Sequence, residues 1–524
     1  MVTAGWLAVG ACADGSGTGW VVLDDRGEPA PGALITVRDT AAGTAVTVYA
    51  APDGTFDVPD GAVGPGRVWE FRSAGAEATP RAVLDGAPEG PVRLAPAAAD
   101  DEPPASAFLA QLPDGPEKRR TIVDCGGCHT FNARHARLSG AHRPEESWRD
   151  ALVLMQNMAG QGSGFPIMSS EVDPEADAAW LAGALAGAPW PRSVPLPAAL
   201  TAGAARAVLT EYDVPEPGDL PHDVAVHPSG TLLVTGMFTH RMYVLDPGSG
   251  GWRTVDIPVP NANPRAVDVA PDGRWWVLLG APQSMAAYDP AAGTWETHAI
   301  GMYPHSIDLD SEGRVWFNGH FTVAPELIGS LDPATGTVTR YEVPPPAPRW
   351  TSESTIPYGL RVDADDVIWA TQLRGNHLIR LDPADGSVRL FEMPTSESGP
   401  RRPDLAADGT VWIPGFGAGT LVRFDPASET FTEYPVPDPD AAPYVVRVDR
   451  TRGTVWLGTG HGDVVYAFDP TTERFTAYPL PTRGALVRHL DVDEATGAVW
   501  AAYGASPGIP GKVLRIQPGG PDAG

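Results

Sequence analysis

Cysteine and basic residues are both scarce in this sequence. Three cysteines in 524 residues are too few for a disulfide framework. The 37 Lys and Arg residues are outnumbered by 65 Asp and Glu, which gives a net charge of −28. This charge argues against nucleic acid or an anionic membrane as a partner, because both are bound through clusters of basic side chains. No apolar run approaches the length of a transmembrane helix. A small molecule or another protein is the expected partner.

Glycine and proline, by contrast, are abundant. The chain has 59 Gly and 56 Pro although 43 % of its residues are hydrophobic. This combination is typical of many short strands joined by turns rather than of disorder. The chain is also too long for one compact core. We therefore predict a mainly β protein of two or three domains.

The first domain is predicted over residues 16–95. Short strands alternate with turns here, as in the apolar run Ala33–Val37. The turn-rich stretch Gly27–Ala33 and the later Asp53–Phe56 resemble the carboxypeptidase regulatory-like domain. The resemblance implies a small N-terminal β-sandwich that acts as a spacer or binding module. A linker without large apolar residues follows over Ala95–Pro104.

One cysteine, Cys12, stands apart from the other two. It follows a short apolar segment that ends in Val9-Gly10-Ala11, and this arrangement loosely resembles a lipoprotein cleavage site. A lipid anchor at Cys12 is what the resemblance implies. However, Met1-Val2-Thr3 lacks the basic residues of a signal peptide. A shortened lipoprotein signal and an ordinary N-terminal segment both remain open.

The other two cysteines lie in one motif, Cys125-Gly126-Gly127-Cys128-His129. Chance would give only about 0.0004 copies of such a run in a chain with 3 Cys and 12 His. In c-type haem attachment the two thiols bind the haem covalently and the adjacent imidazole is the proximal iron ligand. A zinc site would need further ligands that no second cysteine pair supplies, and a thioredoxin-like site would need a βαβ context. We therefore predict haem c at Cys125, Cys128 and His129.

Helical segments surround this motif, at Pro116–Asp124, Glu145–Ala159 and Pro174–Ala186. Together with Leu112-Pro113-Asp114-Gly115 and Met168-Ser169-Ser170-Glu171, they resemble a class I cytochrome c domain over residues 106–187. The resemblance implies Met168 as the distal iron ligand.

Other distal ligands remain open. Met155 and Met158 are three residues apart on the preceding helix and have the pattern of core residues. His135 and His142 are the alternatives for bis-histidine ligation. Ligation by His and Met would leave no open position on the iron, which favours electron transfer over oxygen chemistry.

The second half of the chain is repetitive. An apolar-Asp-Pro unit recurs with a period of 43 to 50 residues, and a tryptophan recurs with a period of 40 to 53 residues. The aspartates are Asp246, Asp289, Asp332, Asp382, Asp425 and Asp469, and the tryptophans are Trp276, Trp316, Trp369, Trp412, Trp456 and Trp500. A repeat of this length that holds four short strands is typical of a propeller blade. With the degenerate unit Gln517-Pro518, it predicts a C-terminal seven-bladed β-propeller over residues 207–520.

A further repeated strand indicates how the ring closes. The unit Glu211–Pro215 precedes the first copy, whereas related units such as Glu433–Pro437 follow the earlier copies, and the last copy ends without one. We predict that the N-terminal strand completes the last blade and leaves no open sheet edge.

The blades resemble the virginiamycin B (streptogramin) lyase family, through segments such as Pro304-His305-Ser306-Ile307, Pro357-Tyr358-Gly359-Leu360 and Trp316-Phe317. The resemblance implies carbon–oxygen elimination with His222 and His305 at the histidine positions. It also implies a magnesium ion held partly by a Glu three residues after the repeated Trp. That position is occupied here by Gly236, Leu279, Gly319, Gln372, Gly415, Thr459 and Tyr503, so no blade has the carboxylate.

The residues that follow the blade-start prolines form a set that we call the mouth ring, because equivalent positions of a propeller encircle its central channel. Its members are His222, Arg265, His305, Tyr358, Arg401, Tyr444 and, after Val487 in place of Pro, Arg488. We predict that Arg265, Arg401, Arg488, Tyr358 and Tyr444 bind a carboxylate or another anion.

Several histidines belong to the mouth ring or lie near it in the repeat. Candidate catalytic residues are His222, His305, His320 and His489, and these or His461 would supply a base or the ligands of a divalent metal ion. The alternative is that ring residues only bond neighbouring blades.

The leading hypothesis is an exported c-type haem protein, an electron-transfer protein or oxidoreductase, whose propeller binds a small anionic substrate or a redox partner. The alternatives are a lyase with an appended cytochrome domain and a non-catalytic electron-relay protein. Export is expected because haem is attached to such motifs outside the cytoplasm. Periplasm, cell surface and secretion all remain open.

Overall fold

The computed structural model describes residues 19–73, 81–95, 103–161, 163, 165–191, 202–322, 325–347, 353–504 and 509–519. Cys12 and the segment of the predicted lipid anchor lie outside the described residues. The described chain is mainly β, with its α-helices confined to residues 105–205. None of the helices in the described ranges is both long enough and apolar enough to cross a membrane.

Seven short strands come first in the chain. They are β1 (Trp20–Leu23), β2 (Leu34–Asp39), β3 (Thr44–Tyr49), β4 (Thr55–Phe56), β5 (Val68–Arg72), β6 (Arg81–Asp85) and β7 (Val92–Arg93). One sheet has the order β4-β1-β7, and β3-β2-β5-β6 are adjacent in another. Alternating apolar residues of both sheets, including Trp69 and Phe71, share one core.

A helical region with one small hairpin follows. Its elements are α1 (Ala105–Leu109), α2 (Pro116–Cys125), α3 (Ala133–Ala136), β8 (Arg137–Leu138), β9 (Ala141–His142), α4 (Glu145–Ala159), α5 (Pro174–Leu185) and α6 (Ala202–Ala205). The three predicted helices are present, and their ends agree with the prediction to within one residue. Helix α5 begins where Asp173 accepts hydrogen bonds from the backbone N–H groups of Glu175 and Ala176, with Pro174 as the first helical residue.

Six four-stranded antiparallel sheets and four further strands make up the rest of the described residues. The first three sheets are β11 to β14 (Pro221–Val226, Leu232–Gly236, Arg241–Asp246, Gly251–Asp256), β15 to β18 (Pro264–Val269, Trp275–Leu279, Ser284–Asp289, Thr294–Ala299) and β19 to β22 (Pro304–Leu309, Val315–Gly319, Glu326–Asp332, Thr337–Val343). The next three are β23 to β26 (Pro357–Val362, Ile368–Gln372, His377–Asp382, Ser387–Glu392), β27 to β30 (Asp404–Leu405, Val411–Gly415, Thr420–Asp425, Thr430–Pro435) and β31 to β34 (Pro443–Asp449, Thr454–Thr459, Val464–Asp469, Arg474–Pro479). The last strands are β35 (Val487–Asp493), β36 (Ala498–Tyr503) and β37 (Lys512–Gln517).

The repeated residues explain why each sheet forms. The repeat aspartates close the turn before the fourth strand by accepting a backbone N–H two residues later, as Asp289 does from Ala291 at 2.8 Å. The repeat tryptophans are buried and pack against the next sheet, as Trp316 does against Ile368. Because Trp500 of the last sheet packs with Val234 of the first, the sheets form a closed propeller-like ring.

The strand before the first repeat closes this ring. Strand β10 (Val208–Asp213) pairs antiparallel with β37, with Leu209 opposite Ile516, as the sequence predicts. Its other edge pairs with β3, with Leu209 opposite Thr47. The N-terminal strands therefore continue the last sheet of the ring, which the sequence did not predict. This pairing satisfies backbone groups that would otherwise form an exposed edge.

Candidate functional site

The mouth ring is brought together at the starts of the inner strands, as predicted. Six of its seven members are at most 5 % exposed. These six are His222, His305, Tyr358, Arg401, Tyr444 and Arg488, and the seventh, Arg265, is partly buried. The sequence predicts an open channel mouth, so the burial of these polar side chains requires a cover.

The histidines lie on one side of the ring in direct contact with each other. The rings of His305 and His320 stack with centroids 4.1 Å apart, and His222 meets His305 edge-on at 5.6 Å. Nδ1 of His305 lies 2.9 Å from the carbonyl oxygen of Tyr358, which fixes the imidazole and leaves Nε2 available. Two of the candidate catalytic residues, His305 and His320, thus form one cluster with Tyr358.

Burial keeps these imidazoles neutral. It lowers the pKa of His222 to about 4, although Asp223 at 2.7 Å opposes the shift. Burial likewise holds the pKa values of His305 and His320 well below their usual value. At neutral pH the positive charge of the mouth ring therefore comes from its arginines alone.

Arg401 joins the two ring tyrosines. Its Nη1 donates to the Tyr358 hydroxyl at 2.6 Å, and that hydroxyl is also hydrogen-bonded to the hydroxyl of Tyr444. The guanidinium lies over Phe416 and Tyr444, at 3.9 and 4.4 Å from the ring centroids. Its Nε and Nη2 have no hydrogen-bond partner among the described residues. One edge of this guanidinium is therefore buried without a hydrogen-bond partner among the described residues.

Tyr444 differs from its neighbour in acidity. Burial opposes ionisation of its phenol, but the positive charges of Arg401, Arg488 and Arg402 outweigh burial and lower its pKa. For Tyr358 burial dominates, and its pKa is raised. The pair thus places a more acidic phenol beside a less acidic one, an arrangement that can accept or donate a proton.

The Cys125–His129 motif covers this ring. Arg488 donates from Nη2 to the carbonyl oxygen of Cys128 at 3.0 Å. Gly127 packs against Arg401, and a Cβ on Gly126 would lie 2.6 Å from Nε2 of His461. A side chain on either glycine would require a side chain of the propeller to move. The candidate haem turn and the candidate anion site are therefore one continuous structure.

The motif itself has the groups that covalent haem attachment needs. Helix α2 ends at Cys125, and Cys125 and Cys128 are both free thiols. Nδ1 of His129 lies 3.3 Å from the Thr130 carbonyl oxygen, which leaves Nε2 as the outward nitrogen. Burial lowers the pKa of His129 and so favours the neutral imidazole that binds metals. The ring of His135 stacks on that of His129 at 4.0 Å.

Met168 is buried in the same core as the residues around the motif, at 1 % exposure. Met155 only borders this core, Met158 is 65 % exposed, and His142 is exposed and bonded to Arg137. Met168 as the distal ligand, with His135 as an alternative, stays a prediction.

An ion pair fixes this region to the propeller. Asp124 of α2 lies 2.5 Å from Nη1 of Arg374 and accepts a hydrogen bond from the backbone N–H of Ser169 at 3.0 Å. Both side chains are almost fully buried. Burial raises the pKa of Asp124 to about 6 despite the attraction of Arg374.

A second ring, which the sequence reasoning missed, lies three residues further along each inner strand. Its members are Ala225, Asp268, Asp308, Arg361, Asp404, Arg447 and Asp491. Three of its aspartates bond the next sheet, as Asp308 does by accepting from the Val362 N–H at 2.9 Å. The same repeat spacing that identified the mouth ring would have identified this one.

His489 belongs to this deeper level rather than to the mouth. Its Nε2 lies 2.6 Å from Nη2 of Arg447 and 3.5 Å from Asp223. Within the described residues, no group of three or more His, Cys, Asp or Glu side chains is arranged to hold a metal ion. The divalent-metal site stays a prediction.

Comparison with known proteins agrees with this architecture. A streptogramin B lyase structure aligns with 19 % identity and a TM-score of 0.54, over 61 % of this chain and 100 % of that chain. The Staphylococcus aureus virginiamycin B lyase aligns with 18 % identity and a TM-score of 0.51, over 60 % and 99 %. A catalytically inactive histidine-to-alanine variant of that enzyme with quinupristin gives 18 % identity and a TM-score of 0.52, over 60 % and 99 %. At these identities the likeness is one of fold. No curated protein sequence matches the chain.

The family assignment rests on sequence as well as on fold. The sequence model of the virginiamycin B lyase family matches residues 207–507, which is more than half of the chain and contains all seven positions of the mouth ring. The chain therefore belongs to the virginiamycin B lyase family.

Proposed function

We propose that this protein is an exported c-type haem protein that transfers electrons and binds a small organic anion at its mouth ring. The observation that carries the proposal is the seating of the Cys125–His129 turn on Arg401 and Arg488. Two free thiols, a neutral imidazole and a cationic ring are thereby placed side by side. Electron transfer at the turn and ligand binding at the ring would then be coupled by direct contact.

The residues present fit a covalent haem. The free Cys125 and Cys128 thiols have the spacing that thioether attachment needs, and His129 has its Nδ1 near a carbonyl and its Nε2 available. Met168 supplies a buried thioether in the same core. A haem held by His and Met supplies one-electron redox chemistry without an open coordination position. The protein's part is to exclude water and to hold both ligands in place.

This function would use three domains. The N-terminal strands would be a carboxypeptidase regulatory-like sandwich, and the helical region a class I cytochrome c domain. Six four-stranded sheets together with β35, β36, β37 and β10 would make a propeller of seven blades. Haem attachment at this motif would follow export, whether the protein then stays in the periplasm, at the cell surface or on a lipid anchor.

The ring supports anion binding through groups that the protein leaves open. A buried guanidinium without a full set of partners is costly, and a carboxylate satisfies its Nε and Nη2 atoms together. Arg401 has these two atoms without a partner, and its guanidinium lies on the ring of Tyr444. The substrate class that fits best is therefore a small carboxylate.

The test is a reduced-minus-oxidised absorption spectrum and a pyridine haemochrome on protein co-expressed with a cytochrome c maturation system. We expect a c-type signature that Cys125→Ala changes to single-thioether haem or abolishes. Met168→Ala should change the axial ligation, whereas Met158→Ala, at an exposed position, should not. A colourless wild-type protein would remove the haem proposal.

A lyase is the second candidate, favoured by membership of the virginiamycin B lyase family and by the neutral His305 within the ring. It predicts turnover that is independent of redox state and lost in His305→Ala. A non-catalytic electron relay predicts instead tight association with a redox protein and no consumption of a small molecule. Assaying the oxidised and reduced protein with the same carboxylates distinguishes the three.

A further inference from the structure

A cavity of about 200 Å³ lies inside the propeller at the level of the second ring. This volume is that of roughly six or seven water molecules, or of a small organic molecule. No residue of the mouth ring or of the Cys125–His129 turn lines it. Arg450 lines it and its side chain is 44 % exposed, so the cavity reaches the protein surface.

Most charges of the cavity wall are already paired. Arg361 binds Asp404 at 3.0 Å, and Arg447 contacts His489 at 2.6 Å. Pairs of this kind hold adjacent sheets together and need no ligand. The groups available to a ligand are the charged groups that these contacts leave without a partner.

Arg402 presents the open positive group. It is 4 % exposed, and its Nη1 donates to Asp223 at 2.9 Å. Its Nε and Nη2 have no hydrogen-bond partner within the described part of the chain. These two atoms form the edge of a guanidinium that binds a carboxylate with two parallel hydrogen bonds.

Asp268 presents the open negative group. One of its oxygens accepts from the Val269 N–H at 2.8 Å, and no basic side chain of the described residues lies within ion-pair distance of it. Its neighbour Asp308 has both oxygens bonded to backbone N–H groups. Burial and the charge of Asp308 raise the pKa of Asp268 to about 7. A cation beside Asp268 would offset both the burial of its carboxylate and the repulsion by Asp308.

We propose that this cavity binds a small amino-carboxylate zwitterion, with its carboxylate on the Nε and Nη2 edge of Arg402 and its ammonium group at Asp268. Arg402 precedes the fifth of the consecutive sheets and Asp268 lies in the second, so the two groups face the channel from different sides. A short, linear ligand therefore fits better than a single ion. The proposal is independent of haem and of the mouth ring.

The experiment is calorimetric titration of the full-length protein with glycine, β-alanine and γ-aminobutyrate, and with acetate and methylammonium as single-charge probes. At least one amino-carboxylate should bind about tenfold or more tightly than either single-charge probe, which corresponds to about 1.4 kcal/mol. Asp268→Asn should abolish this preference while acetate still binds. Arg402→Lys keeps a charge beside Asp223 and should weaken every carboxylate probe.

The matched control is Asp272→Asn, since Asp272 lies four residues from Asp268 on an exposed turn. It should leave all affinities unchanged. Equal affinity of the wild type for acetate and for every amino-carboxylate would show an anion site only and would overturn the proposal. Absence of any binding at millimolar probe concentrations would overturn it as well. A preference that survives Asp268→Asn would show that Asp268 is not the ammonium site.

Discussion

The ion pair between Asp124 and Arg374 should control how firmly the helical region is held on the propeller. The two side chains are 2 and 3 % exposed and their charged atoms are 2.5 Å apart. Removing one partner leaves the other charge buried and unpaired, which costs about 3 to 5 kcal/mol. Replacing both partners with apolar side chains removes this penalty. We therefore expect Asp124→Ala and Arg374→Met each to cost about 3 to 5 kcal/mol and the double variant much less, a coupling of at least about 2 kcal/mol.

Hydrogen exchange is the suitable assay, because a chain with several domains does not unfold in one step. The opening free energy is read from the amides of α2 and of Ser169, whose N–H bonds to Asp124. The control is Arg149→Ala, which breaks an exposed contact with Glu175 at 3.8 Å and should change protection by less than about 0.5 kcal/mol. Additive effects of the two buried substitutions would refute the reasoning.

Three further outcomes are expected. Gly127→Val should force the buried Arg401 aside and lower the opening free energy, measured by hydrogen exchange, by about 1 to 3 kcal/mol. The control is Gly61→Val, which should cost much less because no atom lies within 4 Å of a Cβ at Gly61. The pKa of Asp268 is raised to about 7 in the folded protein, so the folded state binds this proton more tightly than the unfolded chain does. The resulting stabilisation is complete below about pH 4, where Asp268 is protonated in both states, and it is lost as the pH rises to about 7. The opening free energy of the propeller amides, measured by hydrogen exchange, should therefore fall over this range in the wild type and fall less in Asp268→Asn. Deleting residues 1–95 should expose the free edge of β10 and cause self-association, which size-exclusion chromatography measures. A monodisperse monomer would contradict the conclusion that β3 protects this edge.

The repeats made much of the fold predictable. Because an aspartate and a tryptophan each recur in six of the seven units, the sequence alone locates the turns, the inter-sheet packing and the closing strand. The helices were predictable for a similar reason, since apolar residues recur with the helical period over Glu145–Ala159. In both cases the sequence signal lies within a short segment or in a regular spacing of residues.

Contacts between the three parts of the chain were not predictable in this way. The pairing of β3 with β10 joins residues more than 150 positions apart, and nothing periodic relates them. The contacts of Gly126 with His461 and of Cys128 with Arg488 are equally remote in sequence. The Cys125–His129 motif and the mouth ring could therefore each be recognised as a pattern, but no sequence pattern indicates that one covers the other.

If the turn carries the proposed haem, this contact links the reduction potential of that haem to anion binding at the mouth ring. The ring histidines are neutral, so the charge facing the turn comes from Arg401 and Arg488. Two buried positive charges favour whichever state of a neighbouring redox group carries less positive charge. An anion bound to these arginines would cancel their preference for the less positive redox state. By thermodynamic linkage, the reduced protein would then bind the anion more weakly than the oxidised protein. We therefore expect Arg401→Gln to lower the reduction potential of the haem and also to reduce its sensitivity to added carboxylate. A reduction potential unaffected by this substitution would mean that the contact between the turn and the ring gives no coupling free energy.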